Sequence, residues 1–283
     1  MKKNLLLALI AVIASFNSCK KDEPDTETTS ATDNSICEGE FSRLFMHANG
    51  IAVGDSGVQV MKGIDIPIPL NLCPDYKTDS VDIANGFPIT MWLEYGHDND
   101  GDSIYESSCT GNDGKERRGI IKAVFDKPWH LVGSKVTMYL QNYFVKDTKD
   151  EIEYEGTITV TRGVNSFTQT ISNGECWTSS WNILWNSTRT ITTVLNDSTS
   201  IFDDVVYIKG SADGTDRNGK KFSVSIDDSN PLVRKMGCTY IVKGTQTLKL
   251  EGKKDRTIDY GDGTCDNKAT LTIGGNTFEF SLQ

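Results

Sequence analysis

The chain has 283 residues, with 29 basic and 39 acidic side chains, and its net charge at pH 7 is −10. Nucleic-acid binding needs a basic stripe for phosphate contacts, and the sequence has none, which argues against nucleic acid as a partner. About 250 residues follow the N-terminal leader and its flanking segment, enough to bury a substantial core in one or two β domains.

Residues 1–18 have the composition of an export signal. Two lysines precede an apolar run over 5–16 that is too short to span a bilayer comfortably. Ser18-Cys19 follows at once and resembles a bacterial lipoprotein signal, in which cleavage before the cysteine leaves a thiol that is acylated. Phe16-Asn17 departs from the common pattern, and an ordinary secretory signal is the alternative. We expect attachment to the membrane through acyl chains on Cys19.

Residues 19–34 are rich in charged and hydroxyl side chains, which predicts a disordered tether. The charged run that begins at Lys20 resembles export signals of Bacteroidetes lipoproteins that reach the outer face of the outer membrane. A solvated spacer is the alternative. We therefore expect a protein that is lipid-anchored in the outer membrane and faces the cell exterior. Removal of residues 1–18 leaves 27 basic and 39 acidic side chains, a net charge of −12.

Of the seven cysteines, six remain after Cys19. An even number in an exported chain indicates disulfide bonds, although six cysteines permit fifteen pairings. The predicted pairs are Cys238 with Cys265, Cys73 with Cys109, and Cys37 with Cys176. The first pair joins a strand to the loop after the next strand, the second brackets a similar strand and loop upstream, and the third is the remainder. Closing the first loop contributes about 3 to 4 kcal/mol on the chain-entropy model.

Residues 35–283 form the predicted ectodomain, which begins with a helix over about 35–49. Ser35 and Glu38 have the spacing of a capping box, apolar residues at helical spacing follow, and Asn49-Gly50 predicts the end of the helix. We expect one apolar stripe of this helix to pack on a sheet.

Short β runs separated by Gly, Asn and Asp follow from residue 64 onward. The predicted strands cover 87–95, 119–125, 135–144, 153–161, 166–171, 181–193, 205–211, 221–226, 238–250 and a final hairpin within 257–280. The hairpin has the clearest signal, because apolar and polar residues alternate on both sides of Gly274-Gly275-Asn276. No second amphipathic helix is available to connect parallel strands. The pattern predicts an all-β fold, either an extended antiparallel sheet or a β-sandwich, with disulfide bonds and a short N-terminal helix.

Several motifs within the ectodomain carry a resemblance to a known family. They are Tyr95-Gly96, the run from Cys109 to Ile121, Trp185-Asn186-Ser187-Thr188-Arg189-Thr190, the strand Val206-Tyr207-Ile208-Lys209-Gly210, and the run from Asp259 to Lys268. Together they resemble an uncharacterised family of Bacteroidetes (flavobacterial) lipoproteins over most of 35–283. The resemblance implies fold and location and adds little about chemistry, since the family has no assigned activity. This chain departs from the pattern by an acidic insertion at 97–108 and by its additional Cys37 and Cys176.

The acidic insertion contains the candidate metal ligands. Asp98, Asp100 and Asp102 alternate around Gly101 and could hold a structural calcium ion, which prefers oxygen ligands. A solvated hairpin tip is the alternative, because the spacing of an EF-hand loop is not met. No other cofactor is expected.

Three tryptophans are the candidate ligand-binding residues. Trp177, Trp181 and Trp185 are four residues apart, so that in one continuous strand they would share a face. Such a row could stack on sugar rings or on a partner protein. Core packing beside Cys176 is the alternative.

No residue pattern gives a catalytic role that can be defended. Arg117 and Arg118 form a local basic cluster, but adjacent strand positions would place them on opposite faces, and pairing with nearby acids is favoured over binding of an anionic glycan. We expect an envelope protein of binding or structural function, with a glycan or an envelope protein as partner. The alternative is a glycan-binding accessory protein or a hydrolase in polysaccharide use, since carboxylates such as Glu94 and Asp259 could meet in space.

Overall fold

The computed structural model describes residues 25–54, 73–79, 86–102, 105–111, 114–146, 150–194, 205–235, 238 and 240–282. In these ranges the chain forms helix α1 (Thr29–Gly54) and the strands β1 (Asp75–Thr78), β2 (Ile89–Tyr95), β3 (Cys109–Thr110), β4 (Glu116–Phe125), β5 (Lys135–Lys146), β6 (Glu151–Arg162), β7 (Phe167–Trp177), β8 (Asn182–Val194), β9 (Val205–Thr215), β10 (Lys221–Ile226), β11 (Leu232–Lys235), β12 (Ile241–Leu250), β13 (Arg256–Asp262), β14 (Lys268–Ile273) and β15 (Asn276–Ser281).

All of these strands belong to one antiparallel sheet. Its order is β1-β2-β4-β5-β6-β7-β8-β9-β10-β12-β13-β14-β15, while β3 pairs with β4, and β11 pairs with both β9 and β12. Neighbours in the sheet are mostly neighbours in sequence, as short connections require. The predicted all-β fold is confirmed, and of its two alternatives the pairing shows the single extended sheet.

Alternation along the strands places one set of side chains inside and the other in contact with solvent. β4 and β10 alternate strictly between buried and more exposed positions, which is the pattern of a sheet with one wet face. The final hairpin confirms its sequence signal: Leu271 pairs with Phe278, and Gly274 and Gly275 occupy its turn with φ of 56° and 90°. Positive φ at both turn positions explains why glycine stands there.

Helix α1 is enclosed by the sheet. Between residues 30 and 44, every residue except Thr32 and Gly39 is buried. Side chains of β4, β5, β6, β7, β8, β11 and β12 all contact the helix. A flat sheet could not reach the helix from seven strands, so the sheet curves around it. The predicted single apolar stripe is therefore wrong, because the helix buries its polar faces as well.

The helix is longer than the sequence predicted. It begins at Thr29 rather than at Ser35 and ends at Gly54 rather than at residue 49. Glu27, just before the helix, accepts hydrogen bonds from the backbone N–H (3.1 Å) and hydroxyl (2.9 Å) of Ser30. These bonds satisfy a donor that the first turn leaves free. The predicted capping box lies inside the helix, where Ser35 donates to the carbonyl of Thr32.

The predicted tether over 19–34 is wrong from Asp25 onward, while residues 19–24 lie outside the described part of the chain. Asp25 and Glu27 both form ion pairs with Arg256 of β13, at 3.1 and 3.2 Å. Low apolar content predicts solvation only when the charged groups find no partner in the fold. Here the partner lies more than two hundred residues downstream.

Two of the predicted disulfides are present in the structure. Cys73 is bonded to Cys109, and Cys238 is bonded to Cys265. The third predicted pair is brought together without a bond: Cys37 of α1 and Cys176 of β7 are buried thiols whose sulfurs lie 3.0 Å apart. Because one cysteine lies on the helix and the other on the sheet, this contact joins the two parts of the fold.

Candidate functional site

Four arginines point from the sheet toward the enclosed helix. They are Arg117 of β4, Arg189 of β8, Arg234 of β11 and Arg256 of β13, and none of them is more than 3 % exposed. Each stands at an inward position of its alternating strand. A guanidinium buried to this extent needs hydrogen-bonding partners. The helix and the residues before it supply them.

Arg117 and Glu40 form the most completely enclosed ion pair. The guanidinium Nε and Nη2 donate to the two carboxylate oxygens at 3.0 Å each, and both side chains have no solvent exposure. The hydroxyl of Tyr143 donates a third hydrogen bond to Glu40 Oε1 at 2.7 Å. This bidentate geometry is the strong form of an arginine–carboxylate interaction. It fixes the helix against β4 and β5.

The surroundings of Glu40 keep its carboxylate ionised. Burial by itself would raise the pKa of Glu40, but the charge and hydrogen bonds of Arg117, together with the charge of Arg43, outweigh burial and hold the pKa well below its usual range. Burial raises the pKa of Tyr143, and the charge of Glu40 raises it further. The hydroxyl therefore stays protonated and remains a hydrogen-bond donor.

We expect acid to weaken the fold through Glu40. Since the pKa of Glu40 is lower in the folded state than the ordinary glutamate value of 4.5, the unfolded chain takes up the proton first. The stabilisation is fully present above about pH 4.5 and declines as the pH falls toward the folded-state pKa. Urea unfolding at pH 7, 5, 4 and 3 measures this loss.

The control for the pH series is a variant without the ion pair, R117M/E40Q. It should lose less stability between pH 5 and pH 3 than the unsubstituted protein. Asp33 changes the free energy of unfolding in the opposite direction as the pH falls, because burial raises the pKa of Asp33 despite its pairing with Arg217. Comparison with the variant separates the Glu40 contribution from that of Asp33. Parallel pH curves for the two proteins would contradict the assignment to Glu40.

A second polar cluster fixes the helix against β8 and β12. The guanidinium of Arg189 donates through Nε to Oε1 of Glu38 and through Nη2 to Oε2. Asn34 accepts a hydrogen bond from the indole of Trp185 at 3.1 Å and donates one to Gln246 at 3.1 Å. The hydroxyl of Tyr260 also donates to Gln246, at 2.9 Å. Because these hydrogen bonds join particular side chains of the helix to particular side chains of the sheet, the cluster specifies the register of the helix within the sheet.

A narrow cleft lies beside this second cluster. Its lining includes Glu38, Arg234, Tyr240 and Tyr260, and it has room for about one water molecule. The enclosed helix occupies the space that a ligand would fill in an empty curved sheet.

The chain segment before the helix is held at one end of the strands, which we call the Asp25 end. Asp25 and Glu27 pair there with Arg256, the first residue of β13, and Lys253 lies 3.9 Å from Asp25. Arg217, in the β9–β10 turn, donates through Nε to Asp33 at 2.7 Å. Two turns of the sheet therefore hold the beginning of the described chain.

The three tryptophans do not form one row. β7 ends at Trp177, Trp181 lies in the turn that follows, and Trp177 pairs with Asn182 at the start of β8. Trp185 is 1 % exposed and stacks on Phe41 with ring centroids 5.5 Å apart, so it is a core residue. The prediction of a shared face is wrong because the chain reverses direction between Trp177 and Trp181. Those two side chains are half-buried.

The predicted metal ligands do lie together. Carboxylate oxygens of Asp98, Asp100, Asp102 and Glu106 all lie within 4.8 Å of one another. Three of these side chains accept hydrogen bonds from amides of the same loop: Glu106 from Asn99, Asp98 from Gly101, and Asp100 from Asp102. These bonds account for the convergence of the carboxylates, and calcium binding stays a prediction. Sequence spacing alone missed Glu106, which approaches from the returning side of the loop.

The basic cluster divides as the strand alternation predicts. Arg117 points inward to Glu40, whereas Arg118 points outward and pairs with Glu151 at 2.8 Å. The outward pair confirms the expected surface pairing. The inward pair was missed, because its partner lies 77 positions away on the helix and no local pattern indicates it.

Comparisons with protein-family models, curated proteins and solved structures gave no match. Among the described residues, no helix combines the length and the apolar composition needed to cross a bilayer. The resemblance to Bacteroidetes lipoproteins, the acylation of Cys19 and the location in the outer membrane stay predictions.

Proposed function

We propose that this protein is a lipid-anchored protein of the cell envelope whose function is binding or structural. The enclosure of α1 is the observation that carries the proposal. Curved sheets that bind ligands in their interior leave that space open, whereas here buried ion pairs and Phe41 fill it with the chain's own helix. The outer face of the sheet and the turns at its ends are the surfaces that remain for a partner.

The place where the described chain begins fits an anchored protein. Asp25 is six residues after Cys19 and is held at one end of the strands by Arg256. A fully extended segment of that length spans at most roughly 20 Å. Acyl chains on Cys19 would therefore keep the Asp25 end of the sheet close to the membrane surface, while the other end of the strands projects away from it.

Replacing Cys19 with alanine is expected to abolish acylation and release the protein from the membrane fraction. The change removes the thiol that would be acylated. In this sequence Cys19 is the cysteine that directly follows the apolar run of the leader, so no second cysteine would replace it. Metabolic labelling with an alkyne fatty acid, followed by membrane fractionation, measures both effects. Continued labelling of the C19A protein would contradict the proposal.

A matched variant tests the direction in which the protein faces. K20A/K21A keeps Cys19 and should keep the fatty-acid label, but it removes the basic part of the proposed surface-export signal. Protease added to intact cells should degrade the ectodomain of the unsubstituted protein and spare that of K20A/K21A, with a periplasmic protein as the lysis control. Degradation of the unsubstituted protein would make extracellular glycans the first partners to screen. Protection of both would overturn the outward location and leave envelope proteins as the partner class.

A further inference from the structure

We propose that three neighbouring turns at the Asp25 end form a docking surface for the anionic phosphate headgroups of the membrane. The surface consists of Trp177 at the end of β7 and Trp181 in the β7–β8 turn, Lys220 and Lys221 around the β9–β10 turn, and Lys253 and Lys254 in the β12–β13 turn. This inference rests on the proposed anchorage through Cys19, and it adds the surface with which the anchored domain contacts the lipid.

The strand register brings these turns to the same end of the sheet. Trp177 is paired with Asn182 across the first turn. Thr215 is paired with Leu184 of β8 and with Lys221 of β10, which places the second turn beside the first. The third turn follows directly, because the amide of Glu251 donates to the carbonyl of Lys221 at 3.0 Å.

Side-chain contacts connect the turns to one another and to the N-terminal segment. The guanidinium of Arg217 lies 4.4 Å from the centre of the Trp181 ring and also pairs with Asp33. Arg256, directly after the third turn, pairs with Asp25. The surface is thus fixed to the point from which the chain runs toward Cys19, within the roughly 20 Å that six residues can span.

The exposed side chains of the three turns are more basic than acidic, whereas the protein as a whole is acidic. Lys221, Lys253 and Lys254 are exposed and Lys220 is half-buried, against the exposed acids Glu251 and Asp255 in the same turns. Asp25 and Glu27 beside them are half-buried and pair with the buried Arg256. The whole chain has a net charge of −10. Acidic groups that lie more than about 8 to 10 Å away are screened at physiological salt. The exposed lysines can therefore attract anionic headgroups although the protein as a whole is acidic.

Aromatic and apolar side chains complete the surface. Trp177 and Trp181 keep part of their rings accessible, and the outward Leu184 near the same turn is 46 % exposed. Tryptophan is favoured where an apolar ring meets hydrated headgroups. At a membrane interface tryptophan rings lie at the level of the headgroups and lysines bind the anionic phosphates, so the two residue types together suit this surface to lipid.

The test uses the mature chain with C19S, so that binding is independent of the acyl chains. In cosedimentation at low salt, the protein should bind vesicles that contain phosphatidylglycerol and should not bind vesicles of phosphatidylcholine alone. K221Q/K253Q/K254Q should weaken the binding at least about tenfold, since each lysine near an anionic surface contributes roughly a fivefold factor. The matched control is K127Q/K135Q/K268Q, which removes three lysines from the other end of the strands. Its affinity should stay within about twofold of the unsubstituted chain.

Several outcomes would overturn the docking surface. These are equal binding to both kinds of vesicle, equal losses in the two triple variants, and full displacement by inorganic phosphate at matched ionic strength, which would indicate a site for free anions. Circular dichroism melting checks that each variant folds. Because the probe protein lacks the acyl site, a fatty-acid label on Cys19 without vesicle preference would overturn the docking surface alone. Vesicle preference without a label would overturn the anchor alone.

Discussion

Replacing Arg117 with methionine is expected to lower the free energy of unfolding by about 3 to 5 kcal/mol. The substitution leaves the Glu40 carboxylate enclosed, with the hydroxyl of Tyr143 at 2.7 Å and the guanidinium of Arg43 at 4.0 Å, and without its bidentate guanidinium partner. Removal of the bidentate partner of a buried charge is among the most destabilising changes in a protein interior. Urea unfolding at pH 7 measures the difference.

Two further variants separate the charge from the packing. R117M/E40Q removes both charges and keeps a side-chain carbonyl as acceptor for Tyr143, so it should recover most of the lost stability. R118M removes the neighbouring arginine, whose pair with Glu151 is partly exposed, and should cost about 1 kcal/mol or less. If R117M cost no more than R118M, the enclosed ion pair would not stabilise the helix position. If the double variant were as unstable as R117M, lost packing and not the unpaired charge would explain the effect.

The protein recovered from an oxidising compartment is expected to contain a third disulfide, between Cys37 and Cys176. Their sulfurs are in contact, and the bond would close a loop across a sequence separation of 139 residues. On the chain-entropy model a loop of that length contributes about 5 kcal/mol relative to the reduced chain. Thiol counting on the denatured, unreduced protein and mass mapping of its peptides would identify the bond.

The timing of that oxidation follows from burial. Burial raises the pKa of Cys176, and its hydrogen bond with Cys37 raises the pKa further, so the thiolate that attacks in disulfide exchange is scarce in the folded protein. Protein that folds in the presence of an oxidant should form the bond, whereas protein folded first in a reductant should then oxidise slowly. C37S/C176S should keep the other two disulfides and lose the added stability. Two free thiols in protein recovered from an oxidising compartment would contradict the prediction.

The outer features of this fold were accessible from sequence because they depend on near neighbours. Period-two alternation located most of the long strands, and Gly274-Gly275 predicted the last turn, since both signals are local. Two disulfides followed from the positions of cysteines relative to strands. The short strands β1, β3 and β11 were missed, because two to four residues are too few for an alternating pattern to stand out.

The interior was not accessible in the same way, because its pairs join distant positions. Glu38 and Arg189 are 151 positions apart, and nothing near either residue distinguishes a buried charge from a solvated one. The same limit explains the error over 25–34, whose acidic composition is typical of a tether. For the tryptophans, the hydroxyl-rich residues between Trp177 and Trp181 indicate a turn, and the prediction of one continuous strand did not take them into account.

The enclosure of α1 also constrains the order in which the molecule can be completed. The N-terminal segment is synthesised first, yet Arg256, which holds Asp25, is 231 positions further along the chain. Long-range pairing of this kind makes folding slow, because the intervening loop must be ordered before the contact forms. The carboxylates of the helix and of the segment before it therefore stay hydrated until nearly the whole sheet has been synthesised. The part of the protein that is synthesised first is therefore the part whose structure forms last.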